Sequence, residues 1–390
     1  MNLKVLLIFT LLIPSLIINA DSLINSINDF GFDLLRQVTS DKQNIVISPY
    51  SVFSALAMTA DGADDETLIQ MRNTLNLDKS IDSAISSGGL QNMLKEQSGD
   101  KIELNIANAL WLDEQFPVKE SFKQNIEYNY QAKFNLSNFQ NEANTLKEIN
   151  NWVASKTKNK IPEILQELDP LSKLVLVNAI YFNADWRHKF KKSRTFNDYF
   201  YLSAKDSVSV KMMNQTGKFF YYEDDLIQAI QLNYEGSDFS LLVILPRKFD
   251  NMSETIQNLN ANYLHRINEW ESGVKPVRIS LPKYKIDFNR QLNDDLIDLG
   301  MPLAFSSEAD FSRINGKKDL CIGQVQHRGF IEVDEDGTEA AAATAVTMKM
   351  MSAAPLRDPI IFKADHPFIF LLQENTTNLI LFAGIVNNPE

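Results

Sequence analysis

Residues 330–345 read Phe-Ile-Glu-Val-Asp-Glu-Asp-Gly-Thr-Glu-Ala-Ala-Ala-Ala-Thr-Ala, and this stretch limits the possible folds more than any other. Propensity alone favours a helix after Glu339, because four alanines follow it. Alternation favours a strand: every second residue from Thr338 to Met348 is small or apolar, whereas Glu339 and Lys349 belong to the other set. The small set would fit a narrow space between existing strands. A segment compatible with loop, helix and strand is a candidate conformational switch.

The chain around this segment carries helical patterns in its first part and strand patterns in the rest. Helical spacing predicts helices over 23–38 and 146–153, and Ser48-Pro49 has the cap and first-turn proline that begin another helix. Strand patterns occupy residues 45–47, 102–106, 174–182, 227–232, 239–245, 277–288, 368–372 and 379–385, the last two forming a hairpin. Runs of each type predict an α+β fold with large mixed sheets. No linker divides the chain, so one domain is expected.

The N-terminus has the composition of a secretory signal peptide. Lys4 precedes an apolar run over residues 5–18, and Ala20 supplies the small residue at a cleavage site. The run is shorter than the roughly 20 residues that a bilayer requires, and Pro14 interrupts it. The prediction is a signal peptide at residues 1–20 and a secreted domain at 21–390, without a membrane anchor.

Composition excludes several classes of function. The formal net charge of −12 argues against nucleic-acid binding, which requires a basic surface. The single cysteine, Cys321, can form neither an internal disulfide nor a zinc site. In a secreted chain, four Asn-X-Ser/Thr sequons become candidate glycosylation sites, at Asn135, Asn214, Asn251 and Asn375. Polar neighbours make Asn135 and Asn251 the two expected to be most exposed.

Motifs for catalysis or metal binding are missing from the sequence. The four histidines are scattered without metal-ligand spacing and are interpreted as structural or surface residues. Residues 332–337 resemble the start of a calcium loop, but Ala343 occupies the position that needs a bidentate glutamate. The one basic cluster, over residues 187–194, is interpreted as a solvated face, with sulfated polysaccharide as the weaker alternative. No cofactor or metal is expected.

Several motifs in one order along the chain resemble the serpin family. Residues 330–345 resemble its hinge, Asp365-His-Pro-Phe-Ile-Phe370 and residues 381–389 its closing signature, and residues 176–186 its central strand. Ile47-Ser-Pro-Tyr-Ser51 resembles the start of its core helix. The resemblance covers essentially all of the mature chain. It implies a fold of three β-sheets and eight or nine helices, with an exposed reactive loop at about 335–358.

The resemblance also implies a function, that of a suicide inhibitor of serine proteases. The protease would attack the reactive loop and form an acyl-enzyme. The cleaved loop would then insert into the main sheet as a new strand and distort the attached protease. The expected partner is an extracellular serine protease held in a covalent complex, and the inhibitor itself is expected to be a monomer.

The family pattern assigns roles to individual residues. The hinge would be Glu335, Gly337, Thr338, Glu339, Ala340, Ala341, Ala342 and Ala343. A polar cluster that controls opening of the sheet would comprise Ser48, Ser51, Asn178 and His366, and Trp186 would mark the point where insertion begins. Counting about seventeen residues from Glu335 places the scissile bond at Met351-Ser352.

The side chain before the scissile bond predicts the class of protease. Methionine at 351 suits chymotrypsin-like or elastase-like enzymes, whereas the rival positions Lys349 and Arg357 would suit trypsin-like enzymes. A cysteine-protease target remains an alternative. So does a non-inhibitory serpin that serves as carrier, chaperone or store. Non-inhibitory members commonly have bulky, charged or proline residues in the hinge, and this hinge is small apart from Glu339, which favours inhibition.

Overall fold

The computed structural model describes residues 9–39, 43–78, 83–98, 101–169, 172–269, 273–338 and 358–390, with the backbone alone at 9–20 and 83–87. Within these ranges the α-helices are α1 (Phe9–Val38), α2 (Pro49–Ala60), α3 (Asp65–Thr74), α4 (Ser83–Ser98), α5 (Glu120–Asn129), α6 (Glu142–Lys156), α7 (Met252–Asn258), α8 (Ala261–Asn268), α9 (Asn293–Asp298) and α10 (Ser312–Asn315). Two 3-10 turns lie at Lys192–Arg194 and Pro302–Phe305.

The strands of the same ranges are β1 (Ile45–Ile47), β2 (Ile102–Asp113), β3 (Lys133–Ser137), β4 (Leu174–Asp185), β5 (Thr195–Ser203), β6 (Asp206–Glu223), β7 (Ile227–Asn233), β8 (Phe239–Pro246), β9 (Val274–Pro282), β10 (Tyr284–Gln291), β11 (Ile322–Val333), β12 (Gly337–Thr338), β13 (Ile360–Lys363), β14 (Phe368–Glu374) and β15 (Ile380–Val386). They form two hydrogen-bonded sheets.

The larger sheet has nine strands and is continuous only through β6. Its order is β1-β15-β14-β8-β7-β6-β9-β13, and β5 pairs with the first half of β6. Residues 212–220 of β6 pair with β9, whereas residues 220–223 pair with β7. Strand β6 therefore joins two arms that diverge on either side of Phe220. Counting each arm as a sheet gives the three sheets that the family resemblance predicted.

The second sheet, called the main sheet below, has six strands in the order β10-β11-β12-β4-β2-β3. Strands β4 and β11 pair directly and in parallel from residue 174 to 180 of β4. Strand β4 is buried at ten of its twelve positions, which agrees with the nearly continuous apolar sequence that predicted a central strand.

Helix α2 supports both sheets from between them. All twelve of its residues are buried, and it contacts β2, β4 and β15. Pro49 occupies its first turn, and the Ser48 hydroxyl accepts a hydrogen bond from the Ser51 N–H at 3.3 Å, so the predicted cap is confirmed. Small residues such as Ala55 and Ala57 allow the helix to lie this deep in the core.

Two sequence predictions need correction. The single strand predicted over residues 277–288 is two strands, because β9 ends at Pro282 and β10 begins at Tyr284 in the other sheet. Apolar residues fall on odd positions from Val277 to Leu281 and on even positions from Tyr284 to Phe288. The alternation therefore shifts by one residue at the bend, and this shift marks the change of sheet. The predicted eight or nine helices are ten in the described ranges. The extra elements include α10, whose four residues are too few to leave a helical period. Among the described residues, no helix is both long and apolar enough to cross a bilayer.

Candidate functional site

The hinge residues Gly337 and Thr338 occupy a gap at one end of the main sheet. As strand β12 they pair antiparallel with Asp185 and Ala184 of β4 on one side, and Thr338 pairs with Val333 of β11 on the other. Further along, β4 and β11 are direct neighbours. Strands β4 and β11 are therefore separated at this end by the two-residue strand β12 and pair directly with each other over residues 174–180 of β4.

The side chain of Thr338 points into the core, as the alternating pattern predicted. It is 1% exposed, and its hydroxyl lies 2.5 Å from the hydroxyl of Tyr234. Tyr234 is fully buried, and this burial raises the pKa of its phenol well above the ordinary value, so the phenol stays protonated. The Thr338–Tyr234 contact fastens the beginning of the loop to the hydrophobic core.

Trp186 holds both Tyr234 and the turn that precedes β12. Its ring stacks on Tyr234 with centroids 4.7 Å apart and planes at 11°. Its indole Nε1 donates to the Asp334 carbonyl at 2.9 Å, and its backbone N–H donates to the Asp336 carbonyl, also at 2.9 Å. Trp186 was predicted to mark the start of insertion, and it lies directly beside β12.

Glu335 anchors the turn on its other side. It is 5% exposed, and its carboxylate lies 2.7 Å from the Lys283 ammonium. Burial is the largest single influence and acts to raise the pKa of Glu335, but hydrogen bonds to Lys283 and to backbone, together with the charge of Lys283, outweigh it, so the net pKa lies below the ordinary value. At Gly337, a Cβ atom would collide with the Ala184 carbonyl, so this position requires glycine.

The basic cluster at 187–194 is partly neutralised by acids at the end of β4 and in the turn before β12. Lys189 lies 2.8 Å from Asp185, and Lys192 lies 3.0 Å from Asp336. Hydrogen bonding to Asp336 raises the pKa of Lys192. These ion pairs agree with a solvated face, and polysaccharide binding stays a prediction. Of the acids of the apparent calcium loop, Glu332 and Asp336 face lysines, and Asp334 accepts hydrogen bonds from the backbone N–H groups of Asp336 and Gly337. In the described ranges, no group of residues has the composition of a metal site.

A buried polar cluster, called the lock below, joins three neighbouring strands at one level beneath the main sheet. Asn178 of β4 pairs in register with Asn108 of β2 and His327 of β11. Its amide nitrogen donates to Ser51 and, at 2.7 Å, to Asn108, while Ser51 donates to Asn108 at 2.7 Å. His327 Nδ1 lies 2.7 Å from the Asn178 side-chain oxygen. Strands β4 and β11 cannot separate at this level without breaking that last hydrogen bond.

The lock fixes His327 in its neutral form. The amide nitrogen of Asn178 faces Ser51 and Asn108, so its oxygen faces the imidazole and assigns the proton to Nδ1. Burial lowers the pKa of His327 to about 4, although the nearby backbone of Val46 offsets part of the shift. Among the described residues, Nε2 has no hydrogen-bond partner of normal geometry. Burial outweighs the help from the Val46 backbone, so protonation of the ring is disfavoured.

The predicted membership of this cluster was partly wrong. Ser51 and Asn178 belong to it, and Ser48 caps the helix beneath it. His366 lies elsewhere, before β14, where its ring nitrogens contact Asp365 at 3.0 Å and the Pro246 carbonyl at 2.9 Å. The histidine of the lock is His327. Sequence reasoning also missed Asn108 and Tyr234, because their roles depend on which strands are neighbours.

Of the remaining predicted residues, some lie outside the described ranges, and the four sequon asparagines lie inside them. Residues 339–343 and the bond Met351-Ser352 lie outside the described residues. Asn135 was expected to be exposed, and this is wrong: it is 7% exposed because β3 packs it against the sheet. Asn214, Asn251 and Asn375 are half-buried. Asn375 accepts hydrogen bonds from Ser240 at 2.6 Å and from Gln231 at 3.3 Å.

Comparisons with known proteins agree with the fold and the site. A profile of the serpin (serine protease inhibitor) family matches residues 25–389. An uncharacterised serpin-like protein of Thermococcus kodakarensis is 38% identical over 371 residues, which is 94% of this chain and 86% of the relative. The leukocyte elastase inhibitor of Homo sapiens is 35% identical, with 92% of this chain and 97% of the relative covered.

A solved structure shows the same architecture. The thermophilic serpin Tengpin in its native state superposes with a TM-score of 0.85 at 34% identity, covering 94% of each chain. The fold, with its mixed sheets and a strand begun between β4 and β11, is the serpin fold. The chain belongs to the serpin family, whose members are in general protease inhibitors rather than catalysts.

Proposed function

We propose that this protein is a secreted suicide inhibitor of chymotrypsin-like or elastase-like serine proteases. The observation that carries the proposal is β12, because a strand already begun between β4 and β11 is the starting point for insertion of the loop that follows it. The apolar residue Met351 and the signal-peptide pattern at residues 1–20 support the class of target and the extracellular location. A relative named leukocyte elastase inhibitor agrees with that target class.

The register of β12 indicates how far insertion would go. Thr338 pairs with Ala184, so each residue further along the loop would pair with one residue earlier in β4. In that register Thr344 would lie between Asn178 and His327, and Met348 would reach Leu174, where β4 begins. The inserted strand would then match β4 in length. Met351, three residues further on, would then lie about 43 Å along the sheet from Thr338, at about 3.3 Å per residue.

The free energy of such an insertion is large enough to trap a protease. The protease serine would attack the Met351 carbonyl carbon, and the Ser352 amine would leave, so that the protease remains joined to Met351 by an ester. A dozen new ladder hydrogen bonds at about 1 kcal/mol net each would yield on the order of 10 kcal/mol. That is comparable to the roughly 5–15 kcal/mol stability of a whole domain. The uncleaved fold is therefore metastable and persists for kinetic reasons.

A panel of serine proteases tests the inhibitory function and the bond together. Chymotrypsin-like or elastase-like enzymes should form SDS-resistant complexes and release a peptide that begins at Ser352. A peptide that begins at Met350 or Asp358 would assign a different bond, and complexes with trypsin alone would overturn the target class. Cleavage by every enzyme without any complex would refute inhibition and leave the non-inhibitory alternative.

The hinge variant Thr338→Arg tests the mechanism. Thr338 is 1% exposed and faces Tyr234, so a guanidinium there would be buried without a partner, at a cost of several kcal/mol. Acylation at Met351 should proceed, because the outer loop is unchanged. Thr338 is already buried in the uncleaved chain, so the arginine should displace β12 from the gap, and insertion of the loop would have to bury it again. Insertion should therefore slow, hydrolysis should release the protease, and the variant should become a substrate. Glu339→Arg, in the outward-facing set of the sequence, is the matched control and should remain an inhibitor. Equal inhibition by both variants would exclude strand insertion.

A further inference from the structure

A pocket of about 180 Å³ lies where the two arms of the larger sheet diverge. Strand β7 pairs with residues 220–223 of β6, and Phe220–Gln231 is the last pair between them. Residues 212–220 of β6 pair with β9. The pocket lies in this fork, next to the segment that follows β4. A cavity of about 150 Å³ suffices to hold benzene, so this volume suits one or two fused aromatic rings.

The walls of the pocket combine aromatic rings with positive charge. Trp186, Phe190, Phe219 and Phe220 supply aromatic surface, and Arg187 and Lys218 supply cationic groups. Amide side chains of the neighbouring strands and the imidazole of His188 complete the polar part of the lining. No carboxylate is among the described residues that form it. On a chain with a formal net charge of −12, a pocket lined by cations without acids is unusual.

The aromatic side of the pocket is held rigidly by contacts outside it. Trp186 is fixed by its stacking on Tyr234 and by its hydrogen bond to the Asp334 carbonyl. The backbone N–H of Phe190 donates to the Glu335 carbonyl at 2.9 Å. The backbone N–H of Arg187 donates to the Asn233 carbonyl at 2.9 Å, which ties the cationic rim to β7. The pocket is therefore formed before any ligand arrives, as is usual for small-molecule sites.

We propose that this pocket binds a small aromatic anion. The ring system would lie against Trp186 and the phenylalanines, and the anionic group would face Arg187 and Lys218 at the rim. Both cationic residues are exposed, so they can meet a ligand without a large desolvation cost. Guanidinium and ammonium groups both donate charge-assisted hydrogen bonds to carboxylate or sulfonate oxygens. The site is separate from the reactive bond but shares Trp186 with the hinge region. The proposal itself does not rest on the proposed inhibitory function.

Two matched probes on the full chain test the chemistry of the site. Naphthalene-2-sulfonate and its neutral counterpart naphthalene-2-sulfonamide have nearly the same shape and differ in charge. Calorimetric titration should give one site per chain for the sulfonate and at least about tenfold weaker binding for the sulfonamide. Equal affinities, or no binding of the sulfonate at millimolar concentration, would overturn the proposal. This comparison needs no variant and so does not depend on any variant's folding.

Charge variants then locate the site. Arg187→Gln and Lys218→Gln should each weaken sulfonate binding about threefold to tenfold, since each removes one exposed cation at the rim. Lys211→Gln removes the same charge from an exposed position on the same strand, β6, outside the pocket, and should change the affinity less than about twofold. Equal effects of Lys218→Gln and Lys211→Gln would show that the sulfonate binds elsewhere and would refute the assignment.

Discussion

Acidification should weaken the lock through one residue, His327. Its imidazole is fully buried, its Nδ1 is committed to Asn178, and its Nε2 has no partner among the described residues. In the unfolded chain the same imidazole is hydrated and accepts a proton at its ordinary pKa of 6.5, whereas in the folded chain the pKa falls to about 4. Below pH 6.5 the unfolded state therefore binds more protons than the folded state, and folding stability falls as the pH falls.

The size and range of this effect follow from the two pKa values. A difference of about 2.5 units between 6.5 and about 4 corresponds to about 3 kcal/mol at most, at 1.36 kcal/mol per unit. The loss begins near pH 6.5, reaches about 2 kcal/mol by pH 5, and levels off below pH 4, where both states are protonated. A loss of that size is a substantial part of the stability of a domain.

Urea unfolding at pH 7 and pH 5 measures the effect when the parent is compared with His327→Gln. Glutamine can still donate to Asn178 but cannot titrate, so the parent should lose about 2 kcal/mol more than the variant between the two pH values. Titrating carboxylates are common to both proteins and cancel in the difference. His366→Gln removes an imidazole outside the lock and should keep the pH dependence of the parent.

Equal losses of stability in the parent and in His327→Gln would refute this account, because the buried imidazole would then not be the group that takes up the proton. If the loss of stability disappears in His366→Gln and not in His327→Gln, the titrating group is His366, and this account is refuted. If the proposed insertion is correct, the parent should also lose inhibitory activity faster at pH 5 than His327→Gln, since the hydrogen bond between β4 and β11 is weakened.

Three further predictions concern the loop and its hinge. Mild oxidation should slow inhibition of an elastase-like protease, because a sulfoxide on Met351 would place a polar group in an apolar pocket, and Met351→Leu should resist this loss; equal sensitivity of the two proteins would contradict it. Gly337→Ala should lower the thermal midpoint, because its Cβ would collide with the Ala184 carbonyl. The control Gly89→Ala lies on helix α4 with open space around it and should raise the midpoint, by an amount worth about 1 kcal/mol. A rise in both variants would show that β12 is not held tightly between its neighbouring strands. Thr344→Val should destabilise the cleaved form by about 1–3 kcal/mol and leave the stability of the uncleaved form unchanged. Thr344→Ser keeps the hydroxyl and should change the stability of the cleaved form only slightly. Equal effects of Thr344→Val on both forms would exclude the inferred register.

The features that were predicted correctly are those that local patterns determine. The apolar run 174–182 marks β4, the cap at Ser48 begins α2, and the alternation after Gly337 places Thr338 on the inward face. Each of these features depends on the alternation of side chains along a strand or on the geometry of a single helix cap. Both are determined by residues that are close together in sequence. The turn between the last two strands is of the same kind, and the predicted hairpin is confirmed.

The features that were missed depend on contacts between distant parts of the chain. His327 is one of four scattered histidines in the sequence, and only the parallel pairing of β11 with β4 brings it to Asn178. His366 was assigned to the lock because a family motif surrounds it, but it lies in the bend between β13 and β14, two strands of the larger sheet. Asn135 stands between Phe134 and Leu136 in an otherwise polar stretch, and the pairing of β3 with β2 buries it. Sequence neighbours do not report these surroundings.

The alternation that first identified the loop can now be explained position by position. The inward-facing set from residue 338 to 348 contains two polar members, Thr338 and Thr344, among alanines, a valine and a methionine. Thr338 meets the buried hydroxyl of Tyr234 at this end of the gap. In the register that β12 begins, Thr344 would arrive between Asn178 and His327, whose hydrogen bond to each other must break for the strand to enter. Leaving those two groups buried without partners would cost about 1–3 kcal/mol each, and a hydroxyl that can both donate and accept would satisfy them. The two threonines therefore stand where the path of insertion is polar, and the small apolar residues stand where it is not.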